Sequence, residues 1–159
     1  EYNLDYTMLL HARDEIVDLS IQDCMQINTE FEKNDFDILI ANGKTSSHKV
    51  IRALPKIVGV GGLNFCHQSA FFRVSLLKEY PFPLCYPIAG DYGQFLSMKE
   101  IKINYLDMSV VLFDVNGVSS HSVWRTRKDN FKAGFSIYGI LEVFRLLYML
   151  SYRFVSKWM

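Results

Sequence analysis

Two carboxylates are the residues of this chain best placed to do chemistry, and one histidine–glutamine pair is best placed to orient a cleft floor by hydrogen bonds. Asp91 stands in Ile88-Ala89-Gly90-Asp91-Tyr92, after a stretch broken by Pro81, Pro83 and Pro87 and at the start of a helical pattern from Tyr92 to about Glu100. A carboxylate held rigidly at a helix start beside a cleft can take a proton from a substrate hydroxyl. The same residue, with Gln94 three positions on, also has the form of a helix cap that satisfies free backbone amides. The two roles are compatible. Asp14 follows the apolar run Tyr6–Leu10, where an α/β fold presents ligand groups, and it is equally a candidate cap for the helical pattern beginning near Ile16. His67 and Gln68 are two polar side chains in the otherwise apolar segment Asn64–Phe72, which suits a short buried strand with both aimed at specific partners.

Other groups carry less. His121 closes the loop Asp114–His121, and a solvent-exposed loop histidine is its plainest reading. Gly59-Val60-Gly61-Gly62 lacks the G-x-G-x-x-G spacing and a helix directly after it, so a connector lining a cleft fits better than a phosphate cradle. Cys24, Cys66 and Cys85 are odd in number and have no C-x-x-C spacing. They read as reduced, mostly buried thiols, and His67 with Cys66 and Cys85 lacks the ligand pairs of a zinc site.

The elements around these residues alternate between strand and helix, which makes the class α/β. Tyr6–Leu10 and Asp35–Ala41 read as strands, the latter ended by the turn signal Asn42-Gly43. Ile16–Phe31 has helical spacing with acids on the opposite face. Lys44–Pro55 reads as a mobile polar loop, Arg73–Tyr80 as a short helix, and Lys102–Tyr105 and Ser109–Phe113 as two strands around Asp107. At 159 residues, 50% apolar and 21% charged, the chain is one globular domain's worth of sequence. The net charge is zero but unevenly spread: residues 1–40 hold ten acids and two bases, residues 121–159 seven bases and two acids. The acidic front argues against nucleic-acid binding, and the basic, aromatic tail suits an anionic membrane surface. Phe135–Val155 is long enough to span a bilayer, but Glu142 and Arg145 near its middle would cost about 2.5–3.5 kcal/mol each. An amphipathic helix lying on the membrane fits better, with packing on the domain or a partner as the plainer alternative.

Four segments in order resemble the second half of family 2 glycosyltransferases of the bacterial, surface-polysaccharide type. They are His67-Gln68-Ser69-Ala70-Phe71-Phe72-Arg73, Tyr80-Pro81-Phe82, Ile88-Ala89-Gly90-Asp91-Tyr92 and Gly117-Val118-Ser119. Pro83 departs from the family, which has Asp after that Phe. Leu9-Leu10-His11-Ala12-Arg13-Asp14-Glu15-Ile16 is similar to the family's metal-binding segment, with His11 in place of Asn and Arg13, a cation, in place of Gly or Asp.

The resemblance implies a partial GT-A fold lacking the N-terminal βαβ nucleotide-binding half, over residues 1–121, followed by a basic amphipathic helical tail over 122–159. It implies an inverting transfer of a sugar from a nucleotide-diphosphate-sugar to a hydroxyl of a sugar or lipid-linked acceptor. Asp91 would be the general base. Asp14, with His121, would hold a divalent Mg or Mn, while His67, Gln68, Gly117, Val118 and Ser119 would contact substrate. The expected location is cytoplasmic, peripheral on the inner membrane face. The chain starts at Glu1 with the Asp14 segment close behind, so the donor-binding half is expected outside this sequence, and this chain alone is expected to be inactive. The competing reading is a non-catalytic remnant that serves as a membrane-associated interaction module.

Overall fold

The computed structural model describes residues 5–10, 14–33, 35–54, 58–59, 62–114 and 122–155. The fold is mixed α/β, in two compact units. The first unit is built on β3 (Ile38–Thr45), whose residues are buried almost without interruption. Such a run marks a central strand covered on both faces. Around it lie β1 (Tyr6–Met8), β2 (Glu15–Ile16), β4 (Val50–Ile51), β7 (Ala70–Arg73) and β8 (Ile103–Phe113). The six-stranded sheet has the order β1-β7-β3-β8-β2, with β4 also paired to β3. Among the described residues only β3 and β8 run parallel; the other pairs of this sheet are antiparallel.

The sheet edges differ from the sequence reading in ways that the side chains explain. Asn42-Gly43 does not end β3. The strand continues through it with register shifts on both sides of Asn42, so that Ala41 pairs with Leu106 but Gly43 with Val111. The extra residues of β8 are taken up in this bulge. Asn42 holds it: its Nδ2 donates to Asp107 Oδ1 at 2.9 Å, and its Oδ1 accepts from the Ala53 amide at 3.0 Å. Gly43 is required because a Cβ there would lie 2.9 Å from the Cβ of Cys66. Lys102–Tyr105 and Ser109–Phe113, expected as two strands, are therefore one irregular strand.

Helix α1 spans Ile21–Lys33, five residues later than the apolar spacing suggested, because Glu15–Ile16 pairs with Leu112 and Val111 of β8. Its start is a reciprocal cap. The Asp23 carboxylate accepts from the Ser20 amide and hydroxyl, and the Ser20 hydroxyl accepts from the Asp23 amide. Ile27 and Phe31 of α1 pack on a core of Phe36, Leu39, Ala41, Leu106 and Val110. Phe31 meets Tyr6 face to face at 5.0 Å and Phe71 edge-on at 5.3 Å, geometries that add about 0.5–1.5 kcal/mol per pair beyond area burial.

Arg73 ties the strand ends together. Its guanidinium donates to Tyr6 Oη at 2.7 Å and to the Phe36 carbonyl at 2.8 Å, stands over the Tyr6 ring and pairs with Asp37. Tyr6 in turn donates to the same carbonyl. Burial raises the Tyr6 phenol above its ordinary range, against the lowering effect of Arg73, so it stays a donor. Helix α2 (Val74–Glu79) follows directly and buries Leu76.

The second unit contains β5 (Val58–Gly59) paired with β6 (Gly62–Leu63), α3 (Gly90–Ser97), α4 (Val123–Tyr138) and α5 (Ile140–Val155). Ala89, Tyr92, Leu96 and Ala133 form its core, with Leu63, Tyr86 and Tyr138 against them. The tail is two helices, not one. Gly139 separates them with φ of 56°, a backbone that side-chain-bearing residues rarely adopt, and its amide caps α4 on the Phe135 carbonyl at 2.8 Å. Among the described residues no helix is long and apolar enough to cross a membrane.

Helix α5 is inverted. Glu142 is fully buried against Gly134 of α4, where a Cβ would come within 2.6 Å of its carboxyl. Its Oε2 accepts from Arg145 at 3.0 Å, and among the described residues its Oε1 has no hydrogen-bond partner. Arg145 also lies over the Tyr138 ring.

Two stability tests follow from these contacts. Arg73→Met removes charged hydrogen bonds and leaves a carbonyl poorly satisfied, so it should cost about 2–3 kcal/mol in urea unfolding, against about 1 kcal/mol for Tyr6→Phe. Equal costs would remove Arg73 from its central role. Burial raises the Glu142 carboxyl above its ordinary 4.5, against the opposing Arg145. The folded chain therefore binds this proton more tightly than the unfolded one, and stability is lost as pH rises from that value through the folded pKa. Glu142→Gln should raise the melting temperature at pH 7 and lose that advantage below about pH 4.

Candidate functional site

In the first unit Asp14 comes immediately before β2, at the C-terminal end of β8. Its Oδ1 accepts from the Asp114 amide at 3.2 Å. The pairing of β2 with β8 sets this contact, because Glu15 faces Leu112 across the ladder. Glu15 and Asp114, with Ser46, Leu112 and Phe113, line a small recess of about 180 Å³. Asp14 is half-buried, a carboxylate fixed in place by the backbone at a sheet end.

His67 and Gln68 are not in a strand. They lie in a single 3-10 turn, His67–Ser69, that leads into β7. Ser69 explains the turn. Its hydroxyl is fully buried and lies 2.7 Å from two carbonyls, Ala41 of β3 and Cys66 at the turn's own start. This fastens the histidine–glutamine pair to the central strand. His67 is buried and Gln68 half-buried, and Gln68 Oε1 accepts from the Cys66 thiol at 3.1 Å.

Cys66 immediately precedes the His67-Gln68 pair, and its thiol is strongly perturbed. Burial pushes the Cys66 thiol up to about 11; hydrogen bonds at Gln68 and Ser69 oppose that rise, and the negative charge of Asp14 adds to it. Cys66 is thus an inert structural thiol. The expectation of mostly buried cysteines holds for it alone, since Cys24 and Cys85 are exposed.

Asp91 belongs to the second unit. It is not the cap of its helix: α3 begins at Gly90, with Ala89 as its cap residue, so Asp91 sits in the first turn. Its Oδ1 accepts from the Tyr92 amide at 2.8 Å. A carboxylate there is favoured by the helix dipole, by roughly 0.3–1 kcal/mol at a typical site. Tyr92 beside it is almost wholly buried and anchors the turn, while Asp91 itself is half-buried. Three further residues, not singled out from the sequence, place this turn. Gly93 has no Cβ and lets the Tyr86 ring lie where that atom would be, 2.7 Å away, with Pro83 at 3.0 Å. Tyr86 shares a 2.7 Å hydrogen bond with Ser136 of α4. Asp129 of α4 accepts from the Ile88 amide at 3.2 Å. A glycine two positions after the aspartate, in a proline- and tyrosine-rich setting, is the available sequence signal for close packing.

Gly117, Val118, Ser119 and His121 lie outside the described residues, as do His11 and Arg13. Among the described residues no group of three or more His, Cys, Asp or Glu side chains could hold a metal. The described residues therefore form no all-protein cage; a carboxylate such as Asp14 is the kind of hard oxygen donor that suits Mg²⁺ keeping several waters.

No family model matches the chain, and no curated protein matches it. Among solved structures, S. aureus TarS 1–349 in complex with UDP is similar at 15% identity, over 84% of this chain and 42% of that one, with a TM-score of 0.46. S. aureus TarS is similar at 15% identity over 84% of this chain and 25% of its own length, with a TM-score of 0.47. The chain thus spans less than half the length of these structures. At this identity and TM-score the likeness identifies neither a reaction nor a ligand for this chain.

The electrostatic link between Asp14 and Cys66 can be read by thiol labelling. At about pH 8 only ~1 in 1,000 Cys66 thiols is ionised, so Cys24 and Cys85 should label quickly and Cys66 slowly. Asp14→Asn keeps an acceptor for Asp114 but removes the charge, and should speed Cys66 labelling without changing the other two. An unchanged rate would separate Asp14 from the His67-Gln68 segment.

Proposed function

We propose that this chain is part of an inverting glycosyltransferase of the family 2, GT-A type, which moves a sugar from a nucleotide-diphosphate-sugar to a hydroxyl of a sugar or lipid-linked acceptor. The observation that carries this reading is the ordered run of motifs from His67 to Ser119, with Asp91 of the third motif set in the first turn of α3. Asp91 is the proposed general base. Its backbone hydrogen bond and buried neighbour fix the carboxylate in orientation, and its partial exposure leaves it reachable by a hydroxyl. As the acceptor oxygen attacks the anomeric carbon, its proton passes to Asp91, the bond to the diphosphate breaks, and the configuration at that carbon inverts.

His67 and Gln68 are proposed to shape the substrate surface, with Ser69 fixing them on β3. Gly117, Val118 and Ser119 are proposed substrate contacts on the resemblance alone. A divalent metal, Mg or Mn, is proposed on the same ground, with Asp14 and His121 as its protein ligands. When bound, it offsets the charge that builds on the leaving diphosphate. The proposed setting is the cytoplasmic face of the inner membrane.

The test uses the full-length protein that carries this chain. Asp91→Asn removes the basic oxygen charge but keeps the shape and the Tyr92 contact, so transfer should fall at least 10²-fold, the low end of general-base contributions, while nucleotide binding stays unchanged. Retained transfer would take the base role from Asp91. Loss of nucleotide binding would make it a donor-site residue.

A further inference from the structure

We propose that the exposed faces of α4 and α5 dock this chain on an anionic lipid surface. The proposal deepens the membrane setting proposed above and does not depend on the transfer reaction. On α5, Ile140, Leu141, Phe144, Leu147 and Tyr148 are all exposed, with Phe144 at 61% and Tyr148 at 72%. At 100° per residue these positions fall within one arc of about 120°. The only acid of this helix, Glu142, points the other way and is buried against α4. A helix of a water-soluble surface has the reverse pattern, apolar inward and charged outward. This face is built to leave water.

Helix α4 supplies the charge. Trp124 is 78% exposed and shares one side of the helix with Phe131 and Phe135, whose rings touch at 5.7 Å. Arg127 and Lys128 lie on that same side by helical spacing, with Arg125 and Lys132 flanking it, all four exposed. The acid of α4, Asp129, is drawn off by the Ile88 amide. Both acids of the helix pair are therefore committed within the unit, and its exposed charges are basic.

This combination selects the occupant. A second copy of the chain meeting the same surface would set basic residues against basic residues, which a two-fold interface repeats on both sides. An anionic headgroup layer neutralises them, at about 1 kcal/mol for each Lys or Arg near the surface. Tryptophan and tyrosine rings suit the boundary between headgroups and acyl chains. Docking lies in the plane of the surface, since among the described residues neither helix is long and apolar enough to cross it.

The experiment is co-sedimentation of the full chain with phosphatidylcholine vesicles, with and without phosphatidylglycerol, alongside light scattering of the chain alone. The expected result is a monomer that binds the anionic vesicles, binds neutral ones weakly and is released at about 1 M salt, where screening extends over only ~3 Å. Lys128→Ala with Lys132→Ala should lower anionic binding on the order of 30-fold, from about fivefold per charge. Phe144→Glu with Leu147→Glu should abolish it; both sites are exposed, and circular dichroism checks that the helices persist. A blue shift of Trp124 fluorescence on vesicle addition, in a chain carrying Trp158→Phe, gives a readout that leaves the face intact. No vesicle binding, equal binding to neutral vesicles, binding unaffected by both pairs of substitutions, or a dimer that Phe144→Glu dissociates would each overturn the proposal.

Discussion

The first unit depends on what happens at one corner of its sheet, where Arg73 and Asp37 meet. Strands β1, β7, β3 and β8 lie side by side, and all four begin or end at this corner. Asp37 serves three of them: its amide donates to the Lys102 carbonyl, its carbonyl accepts from the Arg73 amide, and its carboxylate accepts from the Lys102 amide. Arg73 adds the fourth by reaching Tyr6 of β1. Register in a sheet is unforgiving, since a slip of one residue turns every side chain to the other face. A charged, multiply bonded corner tolerates no slip, because each alternative leaves a guanidinium or carbonyl unmatched. The Arg of the His67–Arg73 motif thus has a structural duty beside any functional one. The motif carries the histidine–glutamine pair at one end and the clamp that fixes its strand at the other.

How much of this is legible in the sequence depends on the range of the interaction. Local rules worked where local forces decide. The class, the short helix after Arg73, the strand near Tyr6 and the helix at Asp91 all follow from composition and spacing. A local signal misleads where a distant partner reinterprets it. Asn42-Gly43 is a turn signal only if Asn42 must satisfy its own backbone. Here Asp107 and Ala53 take its amide group, and Cys66 occupies the space that a side chain at 43 would need. Likewise Ile16–Leu19 has helical spacing, yet β8 offers a ladder partner, and the helix waits for the Ser20–Asp23 cap. Ser20 and Asp23 are visible in the sequence as a cap, but apolar periodicity points to an earlier start.

The candidate site divides in the same way. The position of Asp91 at a helix start was legible, because a carboxylate there answers to simple electrostatics; Asp14 stands before a strand and not before the helix that its spacing suggested. The supports of Asp91 were not legible. Nothing local says that Tyr86 fills the space beside Gly93 and bonds Ser136, fifty residues on, or that Asp129 holds the Ile88 amide. These are long-range choices between partners of ordinary type. The histidine–glutamine pair was legible as buried and specific, but its turn is set by Ser69, whose hydroxyl reaches a carbonyl twenty-eight residues away.

The tail shows how a single glycine changes the meaning of a pattern. Read as one helix, Phe135–Trp158 has a narrow polar stripe containing Glu142 and Arg145, and that stripe belongs in water. Gly139 breaks the helix at a backbone angle suited to glycine. The stripe then faces α4 instead: Glu142 against Gly134, and Arg145 over Tyr138. Burying an acid with one unpartnered oxygen is unfavourable in itself. The arrangement persists because turning α5 about its axis to expose Glu142 would break its pair of contacts with α4 and push Phe144 and Leu147 into a space shaped for a carboxylate beside a glycine. The apolar face is therefore held outward by the packing of Glu142 and Arg145 on α4, which is what makes it available to something other than water.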